Sequence, residues 1–89
     1  MIKNSKVAII IVNWKQYELT TSCLLSLTKI NCDDHQIILI DNESNQKELK
    51  SIKNQFENIV TFSNETNLGF TGANNIGIKH AIKSEFEYV

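Results

Sequence analysis

The hexapeptide VAIIIV at residues 7–12 decides how this sequence folds. A continuous run of apolar, mostly β-branched residues is typical of a strand buried on both faces, as the strands of a parallel sheet are. Two similar runs follow, QIILID at residues 36–41 and IVTFS at residues 59–63. None of the three is long enough to cross a bilayer, so we interpret them as strands of one buried sheet.

Helical periodicity fills the intervals between these strands. Residues 17–29 have the spacing of an amphipathic helix, and we expect its inward face to hold Leu19, Cys23, Leu24, Leu27 and Ile30. Residues 45–55 form a second helical pattern, whose expected buried face is Leu49, Ile52 and Phe56. Asn45 with Glu48 three residues later fits a capping box at its start.

A third helix is predicted at about residues 72–83, and FEYV at residues 86–89 begins a fourth strand. Strands that alternate with helices imply parallel pairing and right-handed crossovers. The predicted fold is therefore α/β, with three layers (α/β/α) around a mostly parallel sheet, in one domain over residues 1–89. Because the chain stops inside its fourth strand, we expect a partial domain whose open sheet edge favours a homo-oligomer.

Charge and composition exclude several classes of protein. The formal net charge is −1 and the chain contains no arginine, so it lacks a basic footprint for nucleic acid and a polybasic patch for a membrane surface. No signal-peptide pattern opens the sequence, which predicts a cytoplasmic location. Cys23 and Cys32 are expected to stay reduced, with Cys23 packed as a small apolar residue. Two isolated histidines provide no metal-binding spacing.

Polar residues follow the predicted strands at the points where ligands bind in open α/β sheets. Asn13 and Trp14 follow the first strand, and Asp41 closes the second. Asp41 is either an acceptor for nucleotide N–H or ribose O–H groups or a helix-capping or turn residue. The Asn13 amide is equally open to a ligand or a structural role, whereas Trp14 more simply covers the edge of the sheet.

All three glycines of the chain lie in NLGFTGANNIGI, residues 67–78. Their spacing, G-x-x-G-x-x-x-x-G, fits neither the dinucleotide fingerprint nor the phosphate loop of nucleoside triphosphatases, which disfavours both classes. Two interpretations stay open. The segment is either a loop that presents N–H groups to a phosphate at a helix start, or a turn followed by a helix that crosses close to a neighbour at Gly77.

Three segments together resemble the N-terminal part of family 2 glycosyltransferases, in particular the rhamnosyltransferase-like branch with the GT-A (Rossmann-like) fold. They are VAIIIVNWKQYELTTSCLLSL, IILIDNES and TNLGFTGANNIGIKHA, in the family's order. The resemblance implies transfer of a sugar, with inversion, from a nucleotide-diphosphate donor to a glycan or lipid-linked acceptor. It also implies a cytoplasmic enzyme that can associate with a membrane.

The same resemblance implies which residues bind the nucleotide sugar. Val12 and Asn13 would line the nucleotide pocket. Asp41 would bind the base or ribose, with Asn42 and Ser44 beside it. The segment from Asn67 would fold over the donor, and its implied binding residues are Asn67, Gly69, Gly72 and Asn75.

Two departures from the family pattern limit what the resemblance implies. Glu43 stands where the family usually has glycine, so its side chain could alter the turn or repel a phosphate. By the family pattern, the ligands of its divalent metal, Mg²⁺ or Mn²⁺, and its catalytic base would lie after Val89. No catalytic or metal-binding residue is therefore predicted here, and the chain alone is expected to be inactive. The alternatives are a non-catalytic remnant or subunit that binds nucleotide or a partner chain, and a flavodoxin-like interaction or receiver domain.

Overall fold

A computed structural model describes residues 7–29 and 35–84 of the chain. In chain order its elements are β1 (Val7–Trp14), α1 (Tyr17–Thr28), β2 (His35–Asn42), α2 (Gln46–Gln55), β3 (Val60–Ser63) and α3 (Gly69–Lys83). The alternation confirms the α/β prediction. The predicted fourth strand, residues 86–89, lies outside the described residues, as do Ile30 and Cys32. None of the helices in the described ranges could span a bilayer.

The three strands form a parallel sheet in the order β1-β2-β3. Trp14 pairs with Asn42, and Asp41 pairs with Ser63, so the strands end at one edge, which we call the carboxyl rim. β1 is two residues longer than predicted, because Asn13 and Trp14 continue the ladder opposite β2 instead of entering a loop. Each helix follows a strand directly, and all three described helices therefore begin at this rim.

Side chains of β2 alternate between two apolar layers, as the pleat of a strand requires. On one face Ile37 and Leu39 pack with α1 and α2 through the buried residues Leu24, Leu49, Ile52 and Phe56. On the other face Ile38 and Ile40 pack with α3 through Ala73 and Ala81. Helices on both faces confirm the three-layer prediction for the described part of the chain. All four of these β2 residues are nearly or fully buried, which explains their continuous apolar run.

The inward face of α1 differs from the prediction. Leu24 is fully buried, but Leu19 is 67% exposed and Cys23 is also exposed. Thr20 takes the inward position one turn before Leu24, because its hydroxyl donates a hydrogen bond to Oδ1 of Asn13. Leu24 and Leu27 do pack against the core as predicted, whereas the predictions of an inward Leu19 and a packed Cys23 were wrong.

α2 matches the prediction, with Leu49, Ile52 and Phe56 buried. Asn45 is its N-cap and accepts hydrogen bonds at Oδ1 from the backbone N–H groups of Lys47 and Glu48. The return bond of a capping box is absent, since the N–H of Asn45 donates to the hydroxyl of Tyr17 instead of to the Glu48 carboxylate. The cap is therefore confirmed, but its second half comes from another helix.

α3 begins at Gly69, three residues earlier than predicted, so most of the glycine segment is helix and not loop. The side chain of Asn67 accepts a hydrogen bond from the N–H of Gly69, whose φ of +73° turns the chain into the helix. At Gly77 an added Cβ would lie 2.7 Å from Cγ2 of Ile10. The close helix–strand crossing considered at Gly77 is thus confirmed, and glycine there lets α3 pack onto β1.

Candidate functional site

Asp41 lies at the centre of a hydrogen-bonded cluster on the α1/α2 face of the carboxyl rim. Its carboxylate is fully buried and accepts three side-chain hydrogen bonds. Nδ2 of Asn13 donates to Oδ1 at 2.9 Å, whereas the hydroxyls of Tyr17 and Ser44 donate to Oδ2 at 2.9 and 2.8 Å. A buried carboxylate is stable only with such partners. Asp41 therefore joins the ends of β1 and β2 to the start of α1.

The hydroxyl of Tyr17 extends this cluster to α2. It donates to Asp41 and accepts a 2.9 Å hydrogen bond from the backbone N–H of Asn45. Burial raises the pKa of Tyr17, the bond from Asn45 lowers it by a smaller amount, and the Asp41 carboxylate raises it further. The phenol consequently stays protonated, as its donor role requires.

Asn42 forms a second cluster on the opposite, α3-facing side of the sheet. Its Nδ2 donates to Oδ1 of Asn67 and to the carbonyl of Gly69, each at 3.2 Å. Its Oδ1 accepts from Nδ2 of Asn64 at 2.8 Å and, more weakly, from the N–H of Leu68 at 3.5 Å. One buried amide therefore holds the loop after β3 and the beginning of α3 at the rim.

The structure brings together six of the nine sequence-predicted site residues. Those at the rim are Asn13, Asp41, Asn42, Ser44, Asn67 and Gly69. Val12 packs in the apolar layer beneath α3. Gly72 and Asn75 lie within α3, and the hydrogen bonds of the described residues join neither of them to the two clusters. Because α3 begins at Gly69, Gly72 and Asn75 belong to the helix and not to the segment before it that lies at the rim.

Exposure separates the residues at the rim. Asn13, Asp41 and Asn42 are at most 2% exposed, whereas Ser44 is half-buried and Asn67 is exposed. The buried three have their hydrogen-bonding groups directed at other protein groups. Contact between Asp41 and a nucleotide stays a prediction, and it would require the exchange of one of the three protein hydrogen bonds.

Three residues of these clusters escaped the sequence analysis: Tyr17, Thr20 and Asn64. Asn64 follows β3 directly, so the rule that singled out Asn13 and Asp41 at strand ends would have found it. Tyr17 and Thr20 lie in the first turn of α1, where their hydroxyls give no periodic signal. They could have been found only by asking which donors surround a carboxylate at the end of an apolar strand.

Lys15 and Glu43 form an ion pair at the rim, directly after the paired residues Trp14 and Asn42. Nζ of Lys15 lies 2.6 Å from Oε2 of Glu43 and 5.5 Å from the centre of the Trp14 ring. The hydrogen bond and charge of Lys15 lower the pKa of Glu43. Both residues have left-handed backbones, with φ of 59° and 50°. The turn at Glu43 is thus one that glycine would adopt more readily.

The residues that the structure describes do not fit a metal ion. The described ranges contain no group of three His, Cys, Asp or Glu side chains that could hold one, and Asp41 already accepts three hydrogen bonds. A cleft of about 640 Å³ lies along β1, lined by Val7–Ile10 with Asn74 and Ile78. It lies away from the polar clusters, so we place the candidate site at the rim on the basis of its hydrogen-bonding groups.

Comparison with known proteins agrees with the α/β fold. No curated protein matches the chain. Residues 8–84 match the family described as Glycosyl transferase family 2. The matched region includes all three strand ends and every residue of both clusters. Since this match covers most of the sequence, the chain belongs to glycosyl transferase family 2.

Proposed function

We propose that this chain is the nucleotide-sugar-binding part of a family 2 glycosyltransferase. The enzyme would transfer a sugar from a nucleotide-diphosphate donor to a glycan or lipid-linked acceptor, with inversion, in the biosynthesis of a cell-envelope polysaccharide. A hexosyl or rhamnosyl donor and a cytoplasmic location, with membrane association of a longer enzyme, are part of the same proposal.

One observation carries the binding role. Adjacent residues of β2, Asp41 and Asn42, organise polar clusters on opposite faces of the carboxyl rim, where ligands bind in open parallel sheets. The accessible groups around them, the hydroxyl of Ser44 and the amide of Asn67, can contact a base or ribose. Asp41 would hold the Ser44 hydroxyl in place, and Asn42 would hold the Asn67 amide.

Catalysis is not assigned to the described residues. We propose that residues outside the described ranges would hold a divalent ion, Mg²⁺ or Mn²⁺, which would supply positive charge for the diphosphate leaving group. We accordingly expect no sugar transfer by the purified chain in the presence of a nucleotide sugar and either metal. Turnover under these conditions would contradict the assignment.

Nuclear magnetic resonance titration with UDP, TDP, GDP, ADP and CDP tests the binding role. With at least one nucleotide we expect shifts of the backbone amide signals at the rim, at Ser44, Asn67 and Gly69. Glu57 and Asn58 precede β3 at the opposite end of the sheet and serve as internal controls. Shifts confined to that opposite end, or none with any of the five nucleotides, would refute nucleotide binding at the rim.

A further inference from the structure

We propose that Lys15 binds the diphosphate of a nucleoside-diphosphate ligand, and that Glu43 holds the same ammonium group when no ligand is bound. Glu43 would then set the affinity of the site through Lys15. This inference rests on the nucleotide-binding function proposed above. It adds to that function a binding residue, Lys15, and an affinity-determining residue, Glu43.

The position of the pair supports this role. Trp14 and Asn42 are partners in the last step of the β1–β2 ladder, and the pair follows immediately on both strands. Lys15 is therefore the first side chain beyond the end of β1, and Glu43 the first beyond β2. The N–H of Glu43 also bonds to the carbonyl of Thr66, which fixes its turn against the loop after β3. The ammonium group lies between the strand ends that carry both polar clusters.

The exposure of the ion pair would allow Lys15 to exchange Glu43 for another anion at little cost. The side chains of Lys15 and Glu43 are 58% and 41% exposed, so neither charge depends on the other to compensate for burial. An exposed ion pair contributes little to folding, and its separation costs correspondingly little. The left-handed φ angles of both residues favour neither glutamate nor lysine. The backbone conformation therefore does not explain why lysine and glutamate occupy these two positions, whereas the proposed control of the Lys15 ammonium group by Glu43 does.

Lys15 is the cation best placed to meet a diphosphate. The chain has no arginine, so an anion must be held by lysine, by backbone N–H groups or by a metal. In the described part of the chain the other lysine at the rim is Lys47, in the first turn of α2. Of these two lysines, Lys15 is the one that follows β1 and pairs with the residue after β2, and the face of the exposed Trp14 ring also attracts its ammonium.

Ligand binding would exchange one anion for another without a covalent step. The N–H groups of Lys15 would leave the Glu43 carboxylate and donate to phosphate oxygens, and the carboxylate would turn into water. The pKa of Glu43, which Lys15 now lowers, would return toward its ordinary value in the complex. Each binding event therefore includes the energy of separating Lys15 from Glu43, which is how Glu43 would weaken binding.

Isothermal titration calorimetry of the full 89-residue chain tests this exchange, with whichever of UDP, TDP, GDP, ADP or CDP binds most tightly. Glu43→Gln should strengthen binding about threefold and Lys15→Gln should weaken it about fivefold, the range that exposed ion pairs allow. In the double variant Glu43→Gln should have no further effect, because Glu43 would act only through Lys15. Glu65→Gln and Lys47→Gln, matched changes at exposed rim positions, should leave the affinity within about 1.5-fold of wild type.

The outcomes separate this inference from the proposed function. Nucleotide binding that Glu43→Gln does not strengthen would overturn the inference and leave the proposed function intact. An equal gain from Glu43→Gln with or without Lys15 would show simple charge repulsion and would also overturn it. Failure of both the wild type and the Glu43→Gln variant to bind any of the five nucleotides would overturn the proposed function together with the inference.

Discussion

Replacement of Asp41 tests whether its buried carboxylate holds the rim together. In Asp41→Ala three donors lose their acceptor, namely the buried amide of Asn13 and the part-buried hydroxyls of Tyr17 and Ser44. A buried donor without a partner costs about 1–3 kcal/mol, and each hydroxyl that regains water loses about 0.5–1.5 kcal/mol. We therefore expect the free energy of unfolding to fall by about 4 kcal/mol.

A loss of this size is large for a chain of 89 residues, whose total stability should be about 4–13 kcal/mol. Asp41→Asn is the milder variant because it keeps the shape and one acceptor oxygen. Its new NH₂ group cannot accept from the two hydroxyls, and we expect a loss of about 2 kcal/mol. Urea denaturation followed by circular dichroism gives both values, and Trp14, the only tryptophan, supplies a fluorescence probe at the rim.

Glu65→Gln is the control for a lost carboxylate at an exposed position and should leave the midpoint unchanged. A fall of less than about 0.5 kcal/mol in the free energy of unfolding for Asp41→Asn, with an unchanged slope against urea concentration, would refute this role of the carboxylate. Such a result would mean that the cost of burying the carboxylate cancels the gain from its three hydrogen bonds.

Two further variants test other parts of the structure. Tyr17→Phe removes the bonds to Asp41 and Asn45 and should lower the free energy of unfolding by about 1–2 kcal/mol at pH 7. Because the folded state raises the pKa of Tyr17, the stability that the neutral phenol contributes is complete below pH 10 and is lost as the pH rises above it. The difference in urea midpoint between wild type and variant should therefore narrow above pH 10, and a constant difference up to pH 11.5 would contradict this. Gly77→Ala should lower the free energy of unfolding by about 1 kcal/mol, since crowding against Ile10 outweighs the gain in helix propensity. In a protein that also carries Ile10→Ala, the Gly77 change should have no cost. An equal cost of Gly77→Ala with and without Ile10→Ala would show that Ile10 is not the obstacle.

The sequence predicted those elements whose pattern depends only on local burial. The short apolar run at residues 36–41 indicated a strand covered on both faces, and α2 showed one clear apolar face with a cap at Asn45. α1 differs from the prediction at Leu19 and Cys23, because the inward position one turn before Leu24 is taken by Thr20, whose hydroxyl bonds to Asn13 seven residues earlier. Apolar periodicity carries no information about such a bond.

The candidate site was predictable in place but not in organisation. Strand ends located Asn13, Asp41 and Asn42 at one rim, as the register confirms. The start of α3 was misplaced because glycine is a poor helix former, whereas Asn67 and the distant amide of Asn42 together begin the helix at Gly69. Whether an acceptor is available to a ligand or already used by the protein depends on neighbours far apart in the chain.

The Tyr17 hydroxyl has a consequence for how the fold opens. The first N–H groups of a helix normally exchange with solvent readily because they lack partners within the helix. The N–H of Asn45 instead donates to a side chain that follows β1, 28 residues earlier in the chain. Hydrogen exchange at Asn45 thus requires this bond to Tyr17 to break, so the protection of this one amide reports on the contact between the beginnings of α1 and α2.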